Sequence, residues 1–443
     1  MKNKLILTTA LSILVSTVSS SYPKPDQQPL VSGNDLLDLQ LPMAGGGVTS
    51  QPDEEQAPEL HVDSSVGDAS KAPEIHSNFP GGEAEELGRW SYEPVCTDYF
   101  DVLKGPLCVF TNSSFSNGRG ISIFTTPTIA AEFAALLPFQ DPTALSSRGI
   151  NPPSETDRPW QTKSIPGKGI GMLAKHQLQR GDLVAAYTPY LLAHMENLLS
   201  TTDRERYLRI AIEQLPEPSK AHYLSLATIY GDLNVVMQDV VKANAFEMQV
   251  GGQMHLAVFP ESSRINHACA PNSQYHLDPT MLTHYVYAAR AISPNEEITI
   301  AYAPPLSLFA ERQDYLLSTF HFQCSCSRCQ HGLAGDKAVS DILALQWALG
   351  NWDVNSTASV RKAEMLVRLY KEEGLEAFID TAYGHAAFTY NAVGSPRGAK
   401  KYAKLAAEAA VLKYGHAAPG LETWNELMHD PERHSSWRRR KDG

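Results

Sequence analysis

The sequence predicts an α+β protein in which a β-rich unit is interrupted by a helical insert and followed by a helical C-terminal region. Short β-prone runs, broken by glycine and proline, lie within residues 108–187 and return within 254–302. Apolar residues three and four positions apart dominate 204–245 and 359–414, as in amphipathic helices. Hydrophobic residues make up 43% of the chain and charged residues 19%, which is enough apolar material for folded cores.

Length and charge narrow the class of protein further. At roughly 100–200 residues per domain, 443 residues predict two or three compact units and exclude a collagen, a disulfide-dense miniprotein and a multi-pass membrane protein. The net charge of −12 is concentrated in residues 21–90, which hold 13 acidic and 3 basic residues. Because the rest is almost neutral, we expect no direct nucleic-acid binding. The one basic cluster lies in 428–443 and predicts a solvated tail, with a targeting or anionic-partner patch as the alternative.

The first 20 residues resemble a secretory signal peptide. Lys2 and Lys4 precede an apolar run of about 14 residues, and small residues follow at Ser19 and Ser20. This run is shorter than the roughly 20 residues of a membrane-spanning helix, and no later segment predicts a membrane anchor. We therefore expect a protein of the secretory pathway or a secreted protein, and Asn112 and Asn355 begin N-glycosylation sequons.

The remaining chain divides into predicted segments by composition and period. Residues 21–90 mix Pro, Gly, Ser, Gln and acidic residues without a period, which is typical of a disordered linker. A β-rich N-terminal extension follows over 91–159. Strands are expected at 108–111, 120–125, 160–165, 254–259, 285–289 and 297–302. The run 167–174 predicts a glycine loop and a strand, and the run 181–187 predicts a turn and a strand. Helices are expected at 130–137, 204–214, 221–228, 233–245, 359–373, 375–392 and 397–414.

The six cysteines fall into two sets by spacing. Cys324, Cys326 and Cys329 form a C-x-C-x-x-C run, and Cys269 lies 55 positions upstream of it. A tetrahedral zinc site needs four such ligands, so the spacing predicts a Cys₄ zinc site, with disulfides as the alternative. Cys96 and Cys108 are left over, and they predict either one disulfide in an oxidising compartment or two free thiols.

Four motifs in order resemble those of SET-domain protein lysine methyltransferases, closest to the SET-and-MYND group. They are Gly167-Lys168-Gly169-Ile170-Gly171, the run from Ser263 to Asn272 that includes Asn266-His267-Ala268-Cys269, Glu296-Glu297-Ile298-Thr299-Ile300-Ala301-Tyr302, and Phe320-His321-Phe322 before the cysteines. The resemblance implies a pseudo-knotted β fold over 160–303 with a helical insert at about 200–245. It also implies a zinc-binding post-SET segment at 304–333 and a helical domain at 334–427.

The resemblance implies the activity and its residues as well. It implies methyl transfer from S-adenosylmethionine to an accessible lysine of a protein substrate, with Tyr302 as the catalytic tyrosine. The positions that match cofactor contacts are Gly167, Lys168, Gly169, Asn244, Ser263, Asn266, His267 and Phe322. Phe320 stands in the substrate channel where active members often have tyrosine, so one channel hydroxyl is missing.

Three departures from the family pattern bear on these expectations. No second cysteine and histidine cluster is present for a MYND finger. Glu296 replaces a turn glycine, which Asn295 is expected to compensate. The apparent signal peptide conflicts with a fold that implies a cytoplasmic or nuclear enzyme, so a non-catalytic secreted binding module is the alternative function. The sequence leaves the oligomeric state open.

Overall fold

The computed structural model describes residues 89–152, 156–353 and 355–440. The expected signal peptide, nearly all of the expected linker and the last three residues of the tail lie outside these ranges. The α+β class is confirmed. Every helix in the described ranges is too short or too polar to cross a lipid bilayer.

The strands lie between Val95 and Ile300. In chain order they are β1 (Val95–Cys96), β2 (Cys108–Asn112), β3 (Ile121–Thr125), β4 (Trp160–Ile165), β5 (Gly169–Ala174), β6 (Leu183–Tyr187), β7 (Leu191–His194), β8 (Ala245–Val250), β9 (Gln253–Val258), β10 (Asn266–His267), β11 (Ser273–Asp278), β12 (Thr283–Ala288) and β13 (Glu297–Ile300).

The helices lie between and after the strands. In chain order they are α1 (Phe115–Gly118), α2 (Pro127–Ala135), α3 (Leu137–Gln140), α4 (Thr201–Glu213), α5 (Glu217–Leu224), α6 (Val236–Asn244), α7 (Phe309–Phe320), α8 (Ser327–Gln330), α9 (Asp336–Gly350), α10 (Val360–Glu372), α11 (Asp380–Ala392), α12 (Pro396–Tyr414) and α13 (Leu421–His429). Short 3₁₀ turns occur at Ser146–Arg148, Leu233–Val235, Ser262–Arg264, Gly332–Gly335 and Glu376–Phe378.

Three sheets form the β-rich part. Their strand orders are β1-β2-β3-β7-β9-β8, β10-β13-β5-β4 and β11-β12-β6. The parallel pairing of β3 with β7, in register from Ser122 opposite Leu191, joins the expected N-terminal extension to the unit that follows it. The segments 91–159 and 160–303 therefore contribute strands to one sheet.

Both faces of the six-stranded sheet are covered, which explains why β3 is buried at every position. Phe124 packs into a core with the insert helices, where its ring stacks on Tyr207 at a centroid distance of 5.4 Å. Ile121 and Ile123 point into a second core that includes Phe133. Helices α4 to α6 thus close one face of the sheet, as the predicted insert requires.

Alanine-rich helices build the C-terminal region. Ala382 and Ala386 of α11 meet Ala403 and Ala406 of α12 in one core, and these small side chains allow close approach of the two helices. The prediction of a solvated tail is wrong for Arg440. Arg440 donates to the carbonyl oxygens of Leu349 and Asn351 at 2.8 and 2.7 Å and lies 3.9 Å from the ring centre of Trp352. These contacts hold the tail against α9.

Candidate functional site

The pairing of β10 with β13 brings two distant motifs together. These strands run parallel, with Asn266 opposite Thr299 and His267 opposite Ile300. Strand β13 also pairs with β5, which follows the glycine loop at 167–169. Three of the four sequence motifs therefore meet in one small sheet.

Tyr302 is fixed immediately after β13 by two hydrogen bonds. Its hydroxyl donates to the carbonyl oxygen of Ile265 at 2.6 Å, and its backbone N–H donates to Nδ1 of His267 at 2.8 Å. Burial raises the pKa of Tyr302 above the range of a free phenol, and the nearby Glu297 carboxylate makes a smaller contribution in the same direction. The hydroxyl is thus protonated at neutral pH, and it can donate a hydrogen bond but cannot act as a base.

An aromatic cluster surrounds this tyrosine, formed by His267, Tyr302, Phe320 and Phe322. The ring centre of Tyr302 lies 5.4 Å from that of His267 and 5.1 Å from that of Phe320. Phe322 lies 6.1 Å from His267. Three segments of the chain, at positions 267, 302 and 320–322, thus form one apolar wall, which can exclude water and face a cation.

The glycine loop borders the same sheet and is tied to it by Glu297. Lys168 Nζ lies 2.7 Å from one carboxylate oxygen of Glu297, and Asn266 Nδ2 donates to the other at 2.9 Å. Gly167 and Gly169 have φ of +74° and +75°, and a Cβ at either position would meet no heavy atom within 4 Å. The loop backbone is therefore open to a ligand on its exposed side.

The four predicted zinc ligands converge on one point. The sulfur atoms of the cysteine cluster, Cys269, Cys324, Cys326 and Cys329, all lie within 4.8 Å of one another. The Cys269 and Cys329 sulfurs are 3.5 Å apart. Four sulfurs at about 2.3 Å from a tetrahedral zinc would be separated by about 3.8 Å. Both the donor set and its spacing therefore fit zinc.

His267 connects the cysteine cluster to the aromatic cluster. Its Nδ1 accepts from the Tyr302 backbone, so Nε2 carries the proton of the neutral ring and can donate to the Cys269 sulfur at 3.2 Å. Burial lowers the pKa of His267 to about 4. This imidazole therefore stays neutral while its two nitrogens join Tyr302 to Cys269 of the cysteine cluster.

The comparison with known families decides what this arrangement is, since residues 169–303 match the SET domain family. The chain contains a SET domain. Set5 of Schizosaccharomyces pombe, a histone-lysine N-methyltransferase, is 29% identical to it over 203 residues, which cover 44% of this chain and 58% of that protein. Human N-lysine methyltransferase SMYD2 and mouse histone-lysine N-methyltransferase Smyd1 are each 32% identical over 100 and 114 residues. Each of these two alignments covers 22% of this chain and 23% of the relative.

These relatives confirm the resemblance to SET-domain lysine methyltransferases of the SET-and-MYND type. The chain spans 58% or less of the length of the three relatives described here.

Two of the expected cofactor residues of the SET domain make contacts within the fold. Asn244 ends α6, and its Nδ2 donates to the carbonyl oxygens of Ala227 and Val240, both at 2.8 Å. Ser263 Oγ donates to the Phe259 carbonyl at 2.9 Å. The structure thus places the side chains of these two residues in hydrogen bonds to backbone carbonyls of the fold.

The insert loop, residues 225–231, is a part of the SET domain that the sequence motifs did not predict. The buried carboxylate of Asp239 accepts hydrogen bonds from the backbone N–H groups of Ile229, Tyr230 and Gly231 at 2.8–3.2 Å. The Tyr230 ring lies 5.4 Å from that of His321, between Phe320 and Phe322. Asp239 lies within a helical hydrophobic pattern, and its hydrogen-bond partners are backbone groups. The sequence therefore gives no signal for such a loop.

Other predicted residues lie at the N-terminal edge and on the surface. Cys96 and Cys108 are joined in a disulfide at paired positions of β1 and β2. Asn112 is half-buried at the end of β2, where its Oδ1 accepts from the Ser114 backbone and hydroxyl. Asn355 is exposed. Of the two sequons, the second thus has the more accessible side chain.

Proposed function

We propose that this protein transfers a methyl group from S-adenosylmethionine to the side-chain amine of a lysine in a protein substrate. The observation that carries the proposal is the convergence of Asn266, His267 and Tyr302 with the glycine loop in a domain that matches the SET family. Lysine methyltransferases among the relatives add to this support. A protein with an accessible lysine is the proposed partner, with no direct nucleic-acid binding and no membrane anchor.

The residues of the aromatic cluster suit this chemistry. S-adenosylmethionine supplies a methyl group on a cationic sulfur. A neutral lysine amine would take up this methyl group while sulfur keeps the electrons of the broken carbon–sulfur bond, and the resulting ammonium would lose a proton to solvent. A dry channel favours the neutral amine and holds the reacting atoms in line. The protonated Tyr302 hydroxyl can orient these atoms, and the step needs no strong base.

The proposed cofactor contacts follow the family motifs. Gly167, Lys168 and Gly169 would hold the methionine part, and Asn244, Ser263, Asn266 and His267 would hold the amino, carboxylate and ribose groups. Phe322 would pack on the adenine. Zinc held by the cysteine cluster would fix the segment after Phe320, which carries this aromatic wall.

The experiment is calorimetry of the zinc-loaded protein with S-adenosylmethionine, followed by tritiated-methyl labelling of a proteome extract. We expect wild type to bind and to label protein. Tyr302→Phe should retain affinity within about twofold yet lower transfer by on the order of a hundredfold, because its hydroxyl acts on the reacting groups. Ser91→Ala, remote from the aromatic cluster, is the control and should match wild type.

The missing hydroxyl at Phe320 favours one other function, a non-catalytic SET-fold binding module. If wild type binds the cofactor but labels nothing, Phe320→Tyr should restore labelling, since its ring lies beside Tyr302. Wild type that neither binds S-adenosylmethionine nor labels any protein would contradict the enzyme proposal. The binding module would then stand.

We also propose that the protein enters the secretory pathway through residues 1–20. The Cys96–Cys108 disulfide supports this, because disulfides persist in oxidising compartments. N-terminal sequencing of protein from the native host should give a start near Ser21, and mass spectrometry should find glycan on Asn112 or Asn355. An intact Met1 on an unglycosylated protein would instead indicate the cytoplasm or nucleus.

A further inference from the structure

Two buried arginines flank the cysteine cluster. Arg312 of α7 and Arg328 of α8 are only 3% and 5% exposed. Burying a guanidinium is costly unless an opposite charge compensates it. The described residues offer one carboxylate in direct contact with this pair, Glu373, so the source of the remaining compensation must be found among the other neighbours.

Arg312 lies beside the cysteine cluster. The next residue of α7, Gln313, pairs with the backbone carbonyl and N–H of Cys324 at 2.7 and 3.0 Å, which holds this part of the helix against the cluster, and the Nη1 of Arg312 donates to the carbonyl oxygen of Ser307. A guanidinium is always charged, and its N–H groups bind strongly to an anionic acceptor. A buried guanidinium at this place is therefore suited to stabilise thiolates.

Arg328 lies between two of the cysteines in sequence and reaches the C-terminal helices. Its Nη1 donates to the carbonyl oxygen of Cys269 at 3.3 Å and also to that of Pro305. Its Nε donates to a carboxylate oxygen of Glu373, just after α10, at 3.2 Å. One side chain thus joins a zinc ligand to the helical region.

A zinc tetrathiolate would supply more negative charge around these two arginines. Four thiolates and one zinc ion would carry a net charge of −2 beside the two guanidinium groups, whereas four neutral thiols would leave the arginines with Glu373 alone. We propose that Arg312 and Arg328 are positioning residues that neutralise a zinc tetrathiolate centre, and that Arg328 joins this centre to the C-terminal helices through Glu373. This inference rests on the zinc part of the proposed function.

The test measures zinc affinity of the full chain by competition with a chromophoric chelator. Arg312→Gln keeps much of the side-chain size but removes the charge, and it should weaken zinc binding about 10- to 100-fold. Arg312→Lys keeps the charge and should recover at least part of that loss. The matched control is Arg368→Gln, an exposed arginine of α10 that pairs with Glu372, and it should bind zinc as wild type does.

A second readout keeps the test independent of folding and of activity. Cobalt(II) in place of zinc gives thiolate charge-transfer absorption, which should shift in Arg312→Gln. For the link to the helices, chelation of zinc should speed hydrogen exchange of α10 in wild type. In Glu373→Gln that exchange should already be fast with zinc bound.

Three results would overturn the inference. Wild-type zinc affinity and an unchanged cobalt spectrum in Arg312→Gln would show that the charge is not used. Equal losses in Arg312→Gln and Arg312→Lys would indicate a purely steric role. Wild type that binds S-adenosylmethionine but contains no zinc would remove the centre itself while leaving the proposed enzyme function intact.

Discussion

His255 of β9 is a buried imidazole whose surroundings favour the neutral form. Its Nδ1 lies 3.1 Å from the carbonyl oxygen of Gln253 and must donate there, so Nε2 accepts from the Thr125 hydroxyl at 3.0 Å. His194 on the neighbouring strand packs edge-on against it at 5.3 Å. Burial, and then the charge of His194, lower the pKa of His255 to about 3.

We predict that the protein loses stability as the pH is lowered, because of this residue. The unfolded imidazole, with pKa near 6.5, takes up a proton that the folded one excludes until about pH 3, so the unfolded state binds more protons between these values. Each unit of acidification in that window should lower the free energy of unfolding by up to about 1.4 kcal/mol per such histidine. Urea unfolding at a series of pH values measures this slope.

Substitution at position 255 separates the contribution of His255 to this pH dependence from the contributions of the other buried histidines. His255→Gln should flatten the slope, whereas replacement of the exposed His176 by Gln should leave it unchanged. An identical slope in His255→Gln and wild type would refute the assignment.

The sequence predicted the structural roles of some single residues and not of others. Asn295 was expected to compensate for Glu296, which replaces a turn glycine, and its φ of +62° places Asn295 in the left-handed conformation that this turn needs. The cysteine spacing likewise predicted a cluster that the structure brings together. Arg312 gave no such signal, since an arginine on a helix is usually a solvated residue and only the folded neighbours show that this one is buried.

At the scale of one element, the insert loop depends on Asp239. This side chain is 2% exposed, and it accepts four short contacts from three consecutive N–H groups. Such an arrangement fixes a loop that has no regular hydrogen bonding of its own. The position of Tyr230 against His321 therefore follows from a carboxylate on α6.

We predict that Asp239→Asn loosens this loop. An amide nitrogen in place of one oxygen would face backbone donors, which should cost about 1–3 kcal/mol of stability. Hydrogen exchange at residues 229–231 should speed up, and affinity for S-adenosylmethionine should fall. The control is Asp232→Asn, whose exposed side chain contacts Asn234. Slow exchange in Asp239→Asn would contradict this role.

Elements were predicted well where local signals mark their ends. Ser359 caps α10 by accepting from the Lys362 N–H, and the helix was expected there. Helices α9 and α13 follow Gly335 and Gly420 and have no side-chain cap, so nothing in the sequence marks their starts. Strand β8 begins directly where α6 ends at Asn244. The helical hydrophobic pattern before it gives no sign of this change from helix to strand.

At the scale of the whole molecule, Arg119 joins the N-terminal strands to the SET motif. Its guanidinium binds both carboxylate oxygens of Glu261 at 2.8 and 2.7 Å, and Glu261 precedes the 3₁₀ turn that carries Ser263. The two side chains are 12% and 2% exposed. Because 142 positions separate them, no local pattern could predict this pair.

We predict that Arg119→Leu destabilises the protein by about 3–5 kcal/mol, because it leaves the Glu261 carboxylate buried without a partner. The double variant with Glu261→Leu should be less destabilised than the single one. Denaturant unfolding measures both. Lys337→Leu is the control, since it breaks an exposed ion pair with Asp341 that should contribute about 0–1 kcal/mol. A loss of that small size in Arg119→Leu would count against the buried pair.

The edge of the six-stranded sheet bears on self-association. Strand β1 is only two residues long, and Cys96 at its end is bonded to Cys108 of β2. A long, free edge strand would present a row of unpaired N–H and C=O groups to another chain, and this is how sheets join into aggregates. An edge that is short and covalently fixed presents few such groups and cannot peel away to expose β2. The disulfide thus limits edge-to-edge contact between copies of the protein at this border.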